Sequence, residues 1–255
     1  MNKRFFLPCL FLLLLVCKGN QEITKKNSNL LDCNSIDLSL SLKSFYLSEN
    51  NSITLTNFID GSDPVEAFHK WNNAEISKIK EGIALYNNGN SDEAIPILSK
   101  FHKKNPKDLF LHAQLARAHY KKYPNDYLQR IKYAFPIYED LIQKVERETR
   151  KQDDLKDPNQ IVVNLDFVDD YWKTASLYLD KKDYLKAKKL IQKVLIGFFS
   201  NNRPENHKSP FIEQVYQYMT EVEYFLKNRN ENQFYYCKTL QVNPGNIEIN
   251  SFLMK

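Results

Sequence analysis

Gly82-Ile83-Ala84-Leu85-Tyr86-Asn87-Asn88-Gly89-Asn90-Ser91-Asp92-Glu93-Ala94-Ile95-Pro96-Ile97-Leu98 decides the fold. A small residue, Gly82, is followed 12 positions later by another, Ala94, with the turn Asn88-Gly89-Asn90 between them. Apolar residues recur at helical spacing on both sides of that turn. The segment therefore reads as two helices that cross closely enough to need small residues at the contact. The pattern returns downstream. Ala116 is followed by Ala134 and Tyr138, with 18 positions between the alanines, and Ala175 by Ala187 and Ile191, again with 12. Ala94-Ile95-Pro96-Ile97 and Ala134-Phe135-Pro136-Ile137 share an Ala-x-Pro-Ile signature, which supports true internal repetition. Stacked helix pairs of this kind build solenoids, and solenoids usually bind other molecules rather than transform them.

Working outward, Asp63-Pro64-Val65-Glu66 is a helix start: Asp63 can cap and Pro64 suits the first helical position. From there the spacing predicts helices over 64–72, 74–88, 91–103, 108–121, 126–150, 166–180, 183–199, 210–228 and 231–241. Ser91 or Asp92 is the expected cap of the third. The 40 residues between Ala94 and Ala134 imply an insertion around Tyr123-Pro124-Asn125, and the 53 between Ala134 and Ala187 a further one near 146–163. Charged Lys144 to Lys156 reads as a helix end and a solvated loop. Phe211 to Lys227 and Phe234 to Leu240 are apolar at helical spacing but lack the small-residue signature, as a degenerate terminal repeat would. The expected fold class is all-α, a helical-repeat solenoid over residues 63–255 with a small N-terminal extended or β segment.

The first unit, with Gly82, Tyr86, Asn88-Gly89-Asn90, Ala94, Leu98 and Asn105-Pro106 in order, resembles a tetratricopeptide repeat. The resemblance covers residues 75–245. It implies a right-handed superhelix of about three to four helix pairs, each near 34 residues, with a concave inner face that binds peptides or proteins. The inner positions it implies are Ile79, Ile83, Tyr86 and Asn87, then Ala113, Arg117, Tyr120 and Lys121, then Trp172, Ser176 and Leu179. Ile83 stands where some members carry a clamp asparagine for a peptide carboxylate, which argues against that particular activity. The candidate partner-binding residues are Ile83, Tyr86, Asn87, Arg117, Tyr120, Lys121, Trp172 and Ser176. They form an aromatic and apolar surface with Arg117 and Lys121 as polar handles. Insertions and the N-terminal segment filling that groove is the competing reading.

Residues 1–19 read as a secretory signal peptide: Lys3 and Arg4, then an apolar run from Phe5 to Val16, too short for a membrane span. Leu14-Leu15-Val16-Cys17 resembles a bacterial lipobox, which would make Cys17 a lipidated residue. Val16 departs from the usual small residue, and cleavage after Gly19 is the alternative. Residues 20–62 then form a flexible tether and a β-hairpin, with Ile36, Leu38, Leu40 and Leu42 alternating against Ile53 and Leu55. An irregular apolar strap is the other reading. Cys33 and Cys237 could pair in an oxidising compartment or be free thiols.

The chain carries a net charge of +5, and removal of Lys3 and Arg4 with the leader lowers it to +3, too little to argue for nucleic acid or an anionic membrane. The sequence contains no HExxH, GxSxG, Walker or GxGxxG motif. His112 and His119 lie seven apart without further ligands at suitable spacing, so helix packing suits them better than a metal. Asp153-Asp154 and Asp169-Asp170 read as caps or solvated charge. The expectation is a non-enzymatic scaffold of the bacterial cell envelope, exported and lipid-anchored, with no cofactor or metal, whose partners are envelope proteins or peptide segments. The alternative is a periplasmic binder of a small molecule or lipid, using a pocket lined by Ile83, Tyr86, Tyr120 and Trp172.

Overall fold

The computed structural model describes residues 31–36, 53–56, 71–157, 160–200 and 209–254. The chain divides into two units, residues 1–36 with residue 255, and residues 37–254. Of the first, residues 31–36 are described. They hold a 3₁₀ turn, Cys33–Ser35, capped by Asp32, whose carboxylate accepts from the Asn34 N–H at 3.0 Å. The expected signal peptide, Cys17, the first arm of the expected hairpin at 37–42 and the helix expected to begin at Pro64 lie outside the described residues.

Helix makes up 76% of the described residues, which makes the fold all-α with a helical-repeat-like build. Nine α-helices follow one another among the described residues of the second unit: α1 (Asn73–Asn87), α2 (Ser91–Lys104), α3 (Leu109–Lys122), α4 (Tyr127–Tyr133), α5 (Phe135–Gln152), α6 (Val168–Asp180), α7 (Tyr184–Ser200), α8 (Pro210–Phe225) and α9 (Arg229–Val242). None of them is long and apolar enough to cross a membrane. Local chemistry sets their starts. Asn72 and Glu75 form a capping box on α1, and the side chains of Asp108, Asp126 and Ser209 accept from the third residue of α3, α4 and α8. For α2 the expected cap is corrected: Asn90 holds the cap position without a side-chain bond, and Ser91 is already helical and buried.

The helix expected over 126–150 is two helices, broken at Ala134. Pro136 has no N–H for the Lys132 carbonyl, and its ring crowds that carbonyl, so α4 cannot run on into α5. Proline suits the first turn of the new helix instead.

Three hairpins share one register. The turns between α1 and α2, α6 and α7, and α8 and α9 each place a residue at positive φ: Gly89 at 89°, Lys182 at 61° and Lys227 at 62°. In each, the N–H of the residue after it donates five positions back, Asn90 to Leu85, Asp183 to Tyr178 and Asn228 to Glu223, at 2.9, 2.9 and 3.0 Å. This is a Schellman closure of the first helix. Seven residues before each turn residue stands Gly82, Ala175 or Thr220, and five after it Ala94, Ala187 or Asn232. All six are buried. A Cβ on Gly82 would lie 3.1 Å from Leu98 Cδ2, so the helices do cross there. The last pair is therefore in the same register as the others. Its signature is hidden because Thr220 and Asn232 are polar, and the Asn232 amide donates to the Thr220 carbonyl at 2.8 Å.

The second arm of the expected hairpin is a strand whose partner among the described residues lies downstream. β1 (Ile53–Thr56) pairs in parallel with β2 (Ile161–Asn164), Ile53 opposite Ile161 and Leu55 opposite Val163. β2 belongs to the second insertion and packs against both α5 and α7. Val162, Val163 and Asn164 are buried, so the end of that insertion is core. Cys33 and Cys237 are each disulfide-bonded, which removes the free-thiol reading.

Candidate functional site

Counted from the small residue of each first helix (Gly82, Ala116, Ala175, Thr220), the positions expected on an inner side fall at −3, +1, +4 and +5. The +4 row is Tyr86, Tyr120, Leu179 and Tyr224. The +5 row is Asn87, Lys121, Asp180 and Phe225. These positions share one side of α1, α3, α6 and α8, because residues three and four apart lie on one helix face.

Side-chain contacts join the helices along these rows. Lys121 Nζ donates to Asn87 Oδ1 at 2.7 Å and stands 5.0 Å from the centre of the Tyr86 ring, joining α1 to α3. Arg117 grips Asp170 with Nε to Oδ1 at 2.9 Å and Nη2 to Oδ2 at 2.6 Å, joining α3 to α6. Tyr120 Oη and Ser176 Oγ approach to 3.5 Å across the same gap. The Arg130 guanidinium covers the Tyr120 ring at 5.1 Å and reaches Asp180 at 3.5 Å. Trp172 stacks on Tyr218 of α8 at 4.9 Å and meets Phe211 edge-on at 5.5 Å.

Not every candidate faces outward. Tyr86 is buried, with its hydroxyl donating to Gln114, and Ile83 packs against the core formed by α1, α2 and α3. Both serve packing. Arg117 is not an open handle either: both its bonds go to Asp170, which is fully buried. Burial alone would lower the Arg117 pKa, but the Asp170 carboxylate outweighs it and raises it, so the guanidinium stays charged. Asn87 and Lys121 are exposed, and Tyr120, Trp172 and Ser176 half-buried.

The same rows bring in residues that sequence reasoning missed. Tyr224 and Phe225 occupy the +4 and +5 positions of α8 and are 37% and 44% exposed, enough to offer ring faces to a partner. Phe225 stacks on Tyr184 at 4.4 Å, and Phe252 stands against both Tyr224 and Phe225. The signal that could have found them is the 12-residue spacing of Thr220 and Asn232, two polar residues at positions where small ones were sought.

The His112 ring lies 4.5 Å from that of His102 of α2, tilted against it by 39°. Among the described residues no group of three or more His, Cys, Asp or Glu side chains is arranged to hold a metal ion. A cavity of about 640 Å³ lies elsewhere, walled by α5, β2, α6 and α7 and lined by none of Ile83, Tyr86, Tyr120 or Trp172. No protein-family model matches the sequence, and comparison with curated proteins finds no relative.

Proposed function

We propose that the chain is a tetratricopeptide-type scaffold that holds a protein segment along the +4 and +5 rows of α1, α3, α6 and α8. The observation that carries this reading is the shared register: four helices present equivalent positions on one side, and these hold Lys121, Tyr120, Tyr224 and Phe225. Aromatic rings with a few charged handles are the composition of a binding surface, because they supply large contact area at small entropic loss. Export to an oxidising compartment, with anchoring through Cys17, fits the apolar leader and the disulfide-bonded Cys33 and Cys237.

Site-specific photo-cross-linking tests the reading. A photo-reactive residue at Lys121 or Phe225 should give the same discrete adduct in intact cells, and one at the exposed outer position Lys100 of α2 should not. Equal adducts from all three positions would remove the inner rows as the binding surface. Anchoring is read separately: Cys17→Ser should move the protein out of the membrane fraction and abolish labelling by a fatty-acid analogue.

A further inference from the structure

The cavity between α5 and α7 is built by the insertion. β2 packs against both helices, and Thr174 and Tyr178 of α6 line the space between them. Two ion pairs bridge the gap. Lys186 Nζ lies 3.7 Å from Glu139 Oε1, and Lys193 Nζ lies 3.3 Å from Glu146 Oε2. The two rungs are seven residues apart on each helix, or two turns. Midway between them, three or four residues from either rung, stand Gln143 on α5 and Lys189 on α7, and both line the cavity. Gln143 occupies the place where a third carboxylate would complete the ladder. Lys189 is exposed, at the rim, and makes no ion pair among the described residues.

The other cations of the lining are committed. Lys188 lies 2.9 Å from Glu223 and 2.6 Å from Glu231. Arg150 holds Glu146 and donates to the carbonyls of Asp157 and Gln160. Lys193 is 8% exposed and pairs with Glu146. Ile142, Ile161, Val162 and Leu190 give the lining an apolar part. A volume of about 640 Å³ falls within the range of about 300–1,000 Å³ that holds small organic ligands.

We infer that this cavity binds a single-chain amphiphile with one anionic head, its carboxylate or phosphate completing the ladder at Lys189 beside the Gln143 amide and its chain lying on Ile142, Ile161, Val162 and Leu190. The site is on the α5 and α7 side and does not depend on the inner-row reading. The head supplies the charge that the missing rung lacks, and Lys189, the lining cation without an ion pair among the described residues, selects one anionic group.

Titration calorimetry on the full chain tests it with three probes of equal chain length: decanoate, decyl phosphate and decanol. At least one anion should bind at a single site, and decanol at least tenfold more weakly. Preference between the two anions identifies the head as carboxylate or phosphate. Lys189→Gln should weaken the bound anion tenfold or more. Gln143→Glu should do the same while melting at or above the wild-type temperature, because its new carboxylate takes the rung itself. Lys151→Gln, an exposed change outside the lining, should bind as wild type does. If Gln143→Glu fails to fold, Lys189→Gln decides alone. Binding by neither anion, decanol binding as tightly as the anions, or a Lys189→Gln protein that binds like wild type would overturn the inference.

Discussion

The guanidinium of Arg117 donates to both carboxylate oxygens of Asp170, and Asp170 has no exposed surface. The nearest other carboxylate, Asp169, is 3.9 Å away and 57% exposed. Removing the guanidinium leaves a buried carboxylate without its bidentate partner, so Arg117→Met should lower stability by about 3–5 kcal/mol. Removing both charges should recover most of that loss, because an apolar pair of similar volume no longer has to be desolvated. Urea unfolding of Arg117→Met, Asp170→Leu and the double variant measures the coupling. A double variant as unstable as Arg117→Met alone would show that the pair is not what the single change breaks. For the same reason a glutamate at position 117 would be a poor probe of partner binding: it would stand against Asp169 and Asp170 and unsettle the fold.

Helix positions could be read closely from the sequence, because caps and apolar period speak locally. The boundaries that moved did so for local reasons too, as with Pro136 splitting α4 from α5. What escaped was non-local. Ile161-Val162-Val163 is a short apolar run that periodicity cannot assign, and its partner β1 lies more than a hundred residues upstream. Spacing puts Arg117 among the candidate binding residues, but its commitment to Asp170 depends on how α3 meets α6. The α2–α3 and α8–α9 pairs also carry buried titratable groups whose effect can be worked out. Burial first, then the neighbouring His102 and Lys144, lower the pKa of His112 to about 4. A lowered histidine contributes stability that is full above its unfolded value and is lost as pH falls through the folded one, here from 6.5 towards about 4, worth about 3 kcal/mol. Glu223 is the reverse case. Burial first, then Glu231, raise it to about 7, against Asn228 and Lys188. Its contribution is present below 4.5 and lost as pH rises through about 7. The two nearly offset in the wild-type protein. Between pH 7.5 and 4.5, His112→Gln should gain stability relative to wild type and Glu223→Gln should lose it, as read from urea midpoints at both pH values. Variants that stay parallel to wild type would show that neither group titrates in that window.

Among the described residues the most extensive helix contacts join neighbours in sequence, so stability should be distributed locally rather than shared by one central core. The C-terminal residues close the last pair. The 3₁₀ segment Glu248–Phe252 lies against α8 and α9 and buries Ile249 completely. The Asn232 amide donates to the Phe252 carbonyl at 2.7 Å and its oxygen accepts from the Met254 N–H at 2.8 Å, while the Tyr236 hydroxyl and the Asn250 side chain meet at 2.7 Å. Ending the chain after Asn246 would expose the apolar surface under Ile249, roughly 1.5–3 kcal/mol. It would also leave the buried Asn232 oxygen short of a donor, at a cost of about 1–3 kcal/mol. In a structure of nearest-neighbour contacts that loss belongs to the end where it is made. Hydrogen exchange on the truncated protein should therefore show protection falling across 210–242 and holding across 73–122. Uniform loss along the chain would mean that the helix pairs unfold as one cooperative block.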